Sequence, residues 1–156
     1  NGVLPVVMGG DLENYWASGS GRTAKAGARG AFFHPITSYS LPDAVRLATF
    51  VAELTDFDGD RLNMLLRQRA EALWKDGRYY RMLNRMLFRA SNTGERYKIF
   101  ERFYRLKPGL IERFYAGRSG LADKLRVLSG KPPVPIGAGL RAMLASGAPL
   151  AERQEP

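Results

Sequence analysis

Apolar positions recur at three- and four-residue steps along most of this chain, and glycine and proline punctuate them. Leu41, Ala44, Val45, Ala48, Val51 and Ala52 predict one face of a helix. Ser40 stands where its N-cap falls, with Pro42 in the first turn and Asp43 placed to complete a capping box. The small residues on that face predict close packing against a sheet, a neighbouring helix or a cofactor domain. Asp58 or Asp60 can cap a second helix carrying Leu62, Leu65, Leu66, Arg69, Ala70 and Leu73, broken near Gly77. A third runs from Tyr79 to Ala90, with Tyr79, Met82, Leu83, Met86 and Leu87 on one side and Arg78, Arg81, Arg85 and Arg89 on the other. Thr93 can cap a helix holding Tyr97, Phe100, Phe103 and Tyr104, which Lys107-Pro108-Gly109 interrupts. Short helices follow over Leu110–Tyr115, over Leu121–Leu128 with Ser119 opening it, and from Ile136 to Leu144.

The start reads differently. Gly2 to Met8 holds β-formers, with Pro5 demoting them to an edge or extended segment, and Gly9-Gly10-Asp11 is a turn signal. The stretch up to residue 31 is glycine-rich and cannot form a core alone. A lopsided strand-and-loop start before a run of helices suggests that it completes a sheet built elsewhere, so the chain reads as part of a longer protein. Glu101-Arg102-Phe103-Tyr104 recurs eleven residues on as Glu112-Arg113-Phe114-Tyr115; eleven residues is close to three helical turns, so the aromatic pairs can share a face if the break between them is gentle, although two units make no repeat family.

Composition narrows the chemistry. The 156 residues hold no cysteine and one histidine, which excludes disulfides, thiolate metal sites, cysteine nucleophiles and histidine-rich metal sites. No apolar run is long enough to span a bilayer. The net charge of +9 suits an acidic partner. Residues 61–89 carry eight positive and two negative side chains. That stripe fits a solvated arginine face, an anionic membrane surface or nucleic acid, although no nucleic-acid motif accompanies it. The segment from Gly27 to Leu41 brings glycines, His34, Pro35 and three hydroxyls to the start of a helix, whose free amides can face an anion or an electron-rich ring atom. The alternative is a capped loop around one satisfied histidine. Asp11 and Glu13 can be read as paired carboxylates or as a capped turn.

Phe32-Phe33-His34-Pro35-Ile36-Thr37-Ser38-Tyr39-Ser40-Leu41-Pro42-Asp43-Ala44-Val45 closely resembles the signature of bacterial lycopene beta-cyclases. Arg81 to Phe88, Ile111 to Gly117 and Leu128 to Pro135 match the same family in the same order, as does the opening Gly2-Val3-Leu4-Pro5 with Gly9-Gly10-Asp11. The resemblance implies the C-terminal part of a flavoprotein whose dinucleotide-binding half lies upstream. The fold it implies is mostly α: the C-terminal piece of an α/β FAD-binding fold of the flavin monooxygenase and geranylgeranyl-reductase kind, with a short strand and loop start and a multi-helix region. On this basis residues 1–55 are expected to complete the FAD-binding domain, 56–145 to form a helical region facing carotenoid or membrane, and 146–156 a flexible tail. The implied activity is redox-neutral cyclisation of linear carotenoid ends to beta-ionone rings. It depends on reduced FAD, with NADPH a candidate reductant, and the piece alone is expected to be inactive.

By the same resemblance Gly27, Arg29, Gly30, His34, Pro35, Thr37, Ser38, Tyr39 and Ser40 are the flavin-side candidates. No catalytic residue is assigned, because the acidic motif usually credited with catalysis lies upstream. The Met- and aromatic-rich helices between 62 and 115 either roof a carotenoid tunnel or are simply core. Two positions depart from the family pattern: Ser38 stands where a glycine is usual, and Ala28 where the wider flavoprotein group often has an acid. The implied partners are lycopene and a membrane surface rather than nucleic acid. The implied location is the cytoplasmic side of the inner membrane, peripherally bound. A polyene reductase or hydroxylase on the same frame is the alternative enzyme, and a basic helical binding module the alternative that is not one.

Overall fold

The computed structural model describes residues 6–18, 23–91 and 93–129. Seven α-helices cover most of them: α1 (Leu12–Ala17), α2 (Leu41–Ala52), α3 (Gly59–Asp76), α4 (Arg78–Arg85), α5 (Arg96–Tyr104), α6 (Pro108–Tyr115) and α7 (Leu121–Leu128). A 3-10 turn over Gly27–Gly30 precedes α2, and α4 runs on into a π-helical turn over Met86–Ala90. No strand forms among the described residues. Residues 1–5 of the expected opening strand, the expected helix from Ile136 to Leu144 and the expected tail lie outside them. Residues 6–8 have side-chain partners in place of a neighbouring strand: Asn84 Nδ2 donates to the Val7 carbonyl at 2.9 Å and Arg85 Nη1 to that of Met8 at 2.6 Å.

The helix ends follow from local chemistry. Asp11 accepts from the amides of Glu13 and Asn14 and so starts α1, a short helix where the glycine-rich sequence predicts only a turn. Asp58 accepts from Arg61 N at 2.9 Å and starts α3. Pro108 occupies the first turn of α6, where its missing N–H costs nothing. Ser119 does not open α7. Gly120 does, and Asp123 reaches back to its amide at 3.2 Å while binding Arg113 with both oxygens at 2.7 Å.

The core lies where α1, α2 and α3 meet the segment before α2. Leu12, Trp16, Phe32, Leu47, Leu66 and Ala70 are buried there, with Phe50, Val51, Leu62, Leu73 and Trp74 packed around them. α3 buries the face that periodicity predicts. α2 does not: Leu47 is buried, whereas Leu41 and Val45 are each 57% exposed and Ala44, Ala48 and Ala52 also face outward. α2 has two apolar sides, and the bulkier one faces this core.

α4 gives a second correction. It buries Tyr80, Arg81 and Asn84, so its arginines are not one solvated face. The Arg81 guanidinium lies 3.8 Å from the centre of the Trp74 ring, and stacking lets it enter where a bare cation would not. At the other end α5 packs on α6. The two copies of the Glu-Arg-Phe-Tyr echo meet one to one: the rings of Phe103 and Phe114 are 4.7 Å apart and the hydroxyls of Tyr104 and Tyr115 are 2.5 Å apart.

Candidate functional site

The residues from Gly27 to Ser40 form two successive turns clamped to the helices. In the first, Gly27 takes a left-handed φ of 56°, and Phe32 N closes onto its carbonyl at 3.0 Å. Gly30 has no room for a side chain, since a Cβ there would lie 2.6 Å from both the Lys25 carbonyl and the Phe32 ring. Tyr15 of α1 donates to the Ala28 carbonyl at 2.8 Å. Phe32, almost fully buried, roots this turn in the core.

The second turn runs from His34 to Tyr39. His34 N donates to the Tyr39 carbonyl at 2.9 Å, and Ser38 N donates to the His34 carbonyl at 2.8 Å. Thr37 Oγ1 accepts from Tyr39 N at 3.2 Å. Ser38 is left-handed at φ 56°, a conformation in which an L side chain crowds its own backbone. Beneath, Asn84 Nδ2 donates to the Pro35 carbonyl at 2.8 Å. The His34 ring packs edge-on to Tyr80 at 4.4 Å and against Phe114 at 5.7 Å.

His34 Nδ1 accepts from the Ile36 amide at 3.3 Å. The neutral ring therefore carries its proton on Nε2, which is buried and makes no well-formed hydrogen bond. Burial holds the pKa of His34 down at about 4, and the Phe114 carbonyl opposes this only weakly. At neutral pH the side chain is uncharged.

The candidates thus divide by side. Gly30 and His34 face inward, Gly27, Pro35, Thr37 and Ser38 are half-buried, and Arg29, Tyr39 and Ser40 are exposed. The turn leads directly into α2. Ser40 is the residue before that helix, but it is αR and its hydroxyl caps nothing. Asp43, expected to complete a capping box, instead binds Arg46 at 2.8 Å, and Arg46 also donates to the Ala116 carbonyl at 2.7 Å. The first amides of α2 consequently have no side-chain cap, and they sit at the exposed end of a braced turn.

A cavity of about 70 Å³ lies under the turn, lined by His34, Pro35, Trp74, Gly77, Tyr80 and Arg81 together with Asp43, Arg46 and Asp76. Ligand pockets are generally several hundred Å³, so this one suits water rather than a ring system. Arg81 Nη1 is buried there without a partner, and Arg81 is pushed down to about 10 by burial and by Arg85 and Arg78. Asp11 and Glu13 are not paired carboxylates: Asp11 caps α1 and Glu13 binds Arg67 at 3.2 Å. No group of three or more His, Asp or Glu side chains that could hold a metal occurs among the described residues.

Sequence reasoning did not find Tyr80, Asn84 and Phe114, the three side chains that support the turn from below. The one available signal was Asn84, an amide set among apolar and basic positions of α4.

The family model for lycopene cyclase protein matches residues 1–140. The chain is 44% identical over 143 residues to a lycopene beta-cyclase of Paracoccus sp. (strain N81106 / MBIC 01143), covering 91% of this chain and 37% of that protein. It is 46% identical over 143 residues to one from Pseudescherichia vulneris (92% and 37%) and 41% identical over 145 residues to one from Pantoea ananas (93% and 37%). The chain thus spans little more than a third of the length of these relatives. No solved structure matches it. The chain belongs to the lycopene cyclase family.

Proposed function

We propose that this chain is the C-terminal part of a lycopene beta-cyclase, an enzyme that closes the linear ends of a carotenoid into beta-ionone rings with no net redox change. The lycopene beta-cyclases to which the chain is similar support the activity. The observation that carries the mechanism is the exposed, side-chain-uncapped start of α2 on a turn clamped from beneath by Asn84, Tyr80 and Phe114. Free helix amides with the positive end of the helix dipole suit the electron-rich edge of a flavin. Tyr39, Ser40 and Arg29 are exposed and open to such a ligand. The glycines and Pro35 bring the backbone close, and His34 holds the turn in shape while staying neutral.

Reduced FAD, with NADPH a candidate reductant, supplies electron density that stabilises cationic character in the polyene. The other part of the protein supplies the FAD-binding fold and the proton donor; no residue of this chain is assigned that role. The outward apolar face of α2 then packs on that other part, and this chain alone is inactive. The substrate is dissolved in lipid, so the enzyme works on the cytoplasmic face of the inner membrane, peripherally bound.

The test is to give the full-length protein reduced FAD, lycopene and liposomes. Cyclised product with no stoichiometric loss of reducing equivalents is expected. Stoichiometric consumption with a reduced or hydroxylated polyene would replace this reading with a reductase or hydroxylase.

A further inference from the structure

α5 is held at its start by Arg96, which donates to the Phe88 carbonyl at 3.1 Å and lies over the Phe88 ring. None of its nine residues is buried. It rests on α6 through the Phe103 ring and the Tyr104–Tyr115 hydroxyl contact. A helix of nine residues does not hold in water by propensity alone, so its free face calls for a further partner.

That face carries Tyr97, Phe100 and Tyr104, spaced by three and four residues and 61%, 45% and 58% exposed. Rings with an apolar body, two of them tipped by a hydroxyl, are the side chains that settle at a boundary between water and hydrocarbon. Lys98 and Arg105 lie on the same helix, Lys98 bonded to Glu95 and Arg105 to Glu101, and Lys107 is exposed just beyond it. From residue 89 to residue 128 the chain carries ten Lys and Arg against four Asp and Glu. This excess opposes docking against a second copy of itself and favours an anionic surface. No described helix is long and apolar enough to cross a membrane, so contact would be made in the plane of the headgroups.

We infer that α5 is the element through which the protein rests on an anionic phospholipid bilayer, with Tyr97 and Phe100 entering the headgroup layer and the surrounding basic residues facing lipid phosphates. The inference rests on the peripheral membrane binding proposed above and names the element that makes it; vesicle binding is read without turnover, so its failure and that of the cyclase reading are told apart.

The test uses the full-length protein, sedimented with phosphatidylcholine vesicles with or without about a quarter of phosphatidylglycerol. Binding should appear with phosphatidylglycerol and weaken as salt rises. The double variant Tyr97→Ser/Phe100→Ser should bind these vesicles about tenfold more weakly, with an unchanged circular dichroism spectrum and unchanged turnover of detergent-dispersed lycopene. Tyr104 is left in place because it supports Tyr115. Lys107→Glu, at an exposed helix start where an acid is tolerated, should lower binding about fivefold or more without touching the aromatic row. Wild-type protein that ignores both vesicles, or variants that bind as wild type does, would overturn the inference. So would a molar mass in lipid-free solution that falls when Tyr97 and Phe100 are replaced, since that assigns the face to a second copy, or a lowered denaturation midpoint of the double variant, since that assigns it to the other part of the protein. Turnover in detergent lost while vesicle binding persists would move the row to the substrate path. A protein that cyclises nothing but still binds through α5 would sink the cyclase reading alone.

Discussion

Asn84 Nδ2 lies 2.8 Å from the Pro35 carbonyl and 2.9 Å from that of Val7, so one buried amide on α4 joins two chain segments that share no strand. Asn84→Ala leaves both carbonyls without this donor and opens a small void. A buried polar group stripped of its partner costs roughly 1–3 kcal/mol, and the two losses overlap because the segments can relax together. The expected loss is about 2–3 kcal/mol in chemical denaturation of the full-length protein. Flavin retention should weaken with it, because the His34–Tyr39 turn loses its brace. A variant as stable as wild type would show that the amide is spectator rather than brace.

His34 makes the fold sensitive to mild acid. Its pKa is lowered to about 4 in the folded chain, whereas an unfolded histidine titrates near 6.5. Above 6.5 both states are neutral and the full contribution to stability is present. As the pH falls from 6.5 towards 4 only the unfolded state takes up the proton, and stability is lost. The shift corresponds to at most about 3 kcal/mol. His34→Asn keeps an acceptor for the Ile36 amide and removes the titration, so its stability should be flatter than that of wild type across this window. Equal slopes for the two proteins would mean that His34 is not buried neutral.

Much of the architecture was legible because glycine, proline and aspartate mark the helix ends: Asp58, Gly77 and Pro108 stand where α3 begins, α3 gives way to α4 and α6 begins. The Glu-Arg-Phe-Tyr echo was visible, but a shared face was the expectation; the break at Pro108 instead puts the copies on two helices whose aromatics touch. α1 escaped notice because six residues between glycines carry too little periodicity, and Asp11 alone marked it. The faces were harder. α2 is apolar on two sides, and periodicity cannot say which of them this core takes. On α4 a hydrophobic count overlooks Arg81 and Asn84, which are buried because Trp74 and two backbone carbonyls receive them. The residues proposed to flank a flavin rest on a motif alone; that Gly30 and His34 face inward while Tyr39 and Ser40 are exposed is tertiary information.

Ser38 tests the backbone of the turn. At φ 56° a residue with a Cβ carries roughly 1 kcal/mol or more of strain that glycine escapes, while glycine loses more freedom on folding. Ser38→Gly keeps the amide that donates to the His34 carbonyl and should stabilise the protein by about 0.5–1 kcal/mol. Ser38→Val should cost about 1–2 kcal/mol, because branching at Cβ worsens the same clash. Denaturation midpoints that shift in this order, at an unchanged denaturant slope, would confirm that the turn is held in a strained form. Two variants of equal stability would place the strain elsewhere.

Val45 tests whether the outward side of α2 is an interior surface of the larger protein. On this chain it is 57% exposed, and Leu41, Ala44, Ala48 and Ala52 share its side of the helix. An exposed valine on a finished surface can become lysine at a cost within about 0.5 kcal/mol. A valine packed against another part of the protein cannot, because a buried lysine brings an unpaired charge into an apolar contact. In the full-length protein Val45→Lys should therefore lower stability by about 3 kcal/mol or more. It should also release flavin more readily, since α2 carries the uncapped amides proposed to face the cofactor. Val45→Ala, which only trims a contact, should cost less than half as much. Neutrality of the lysine variant in thermal melts and flavin-retention assays would mean that this side of α2 meets solvent, and the flavin would then have to be sought on another part of the chain.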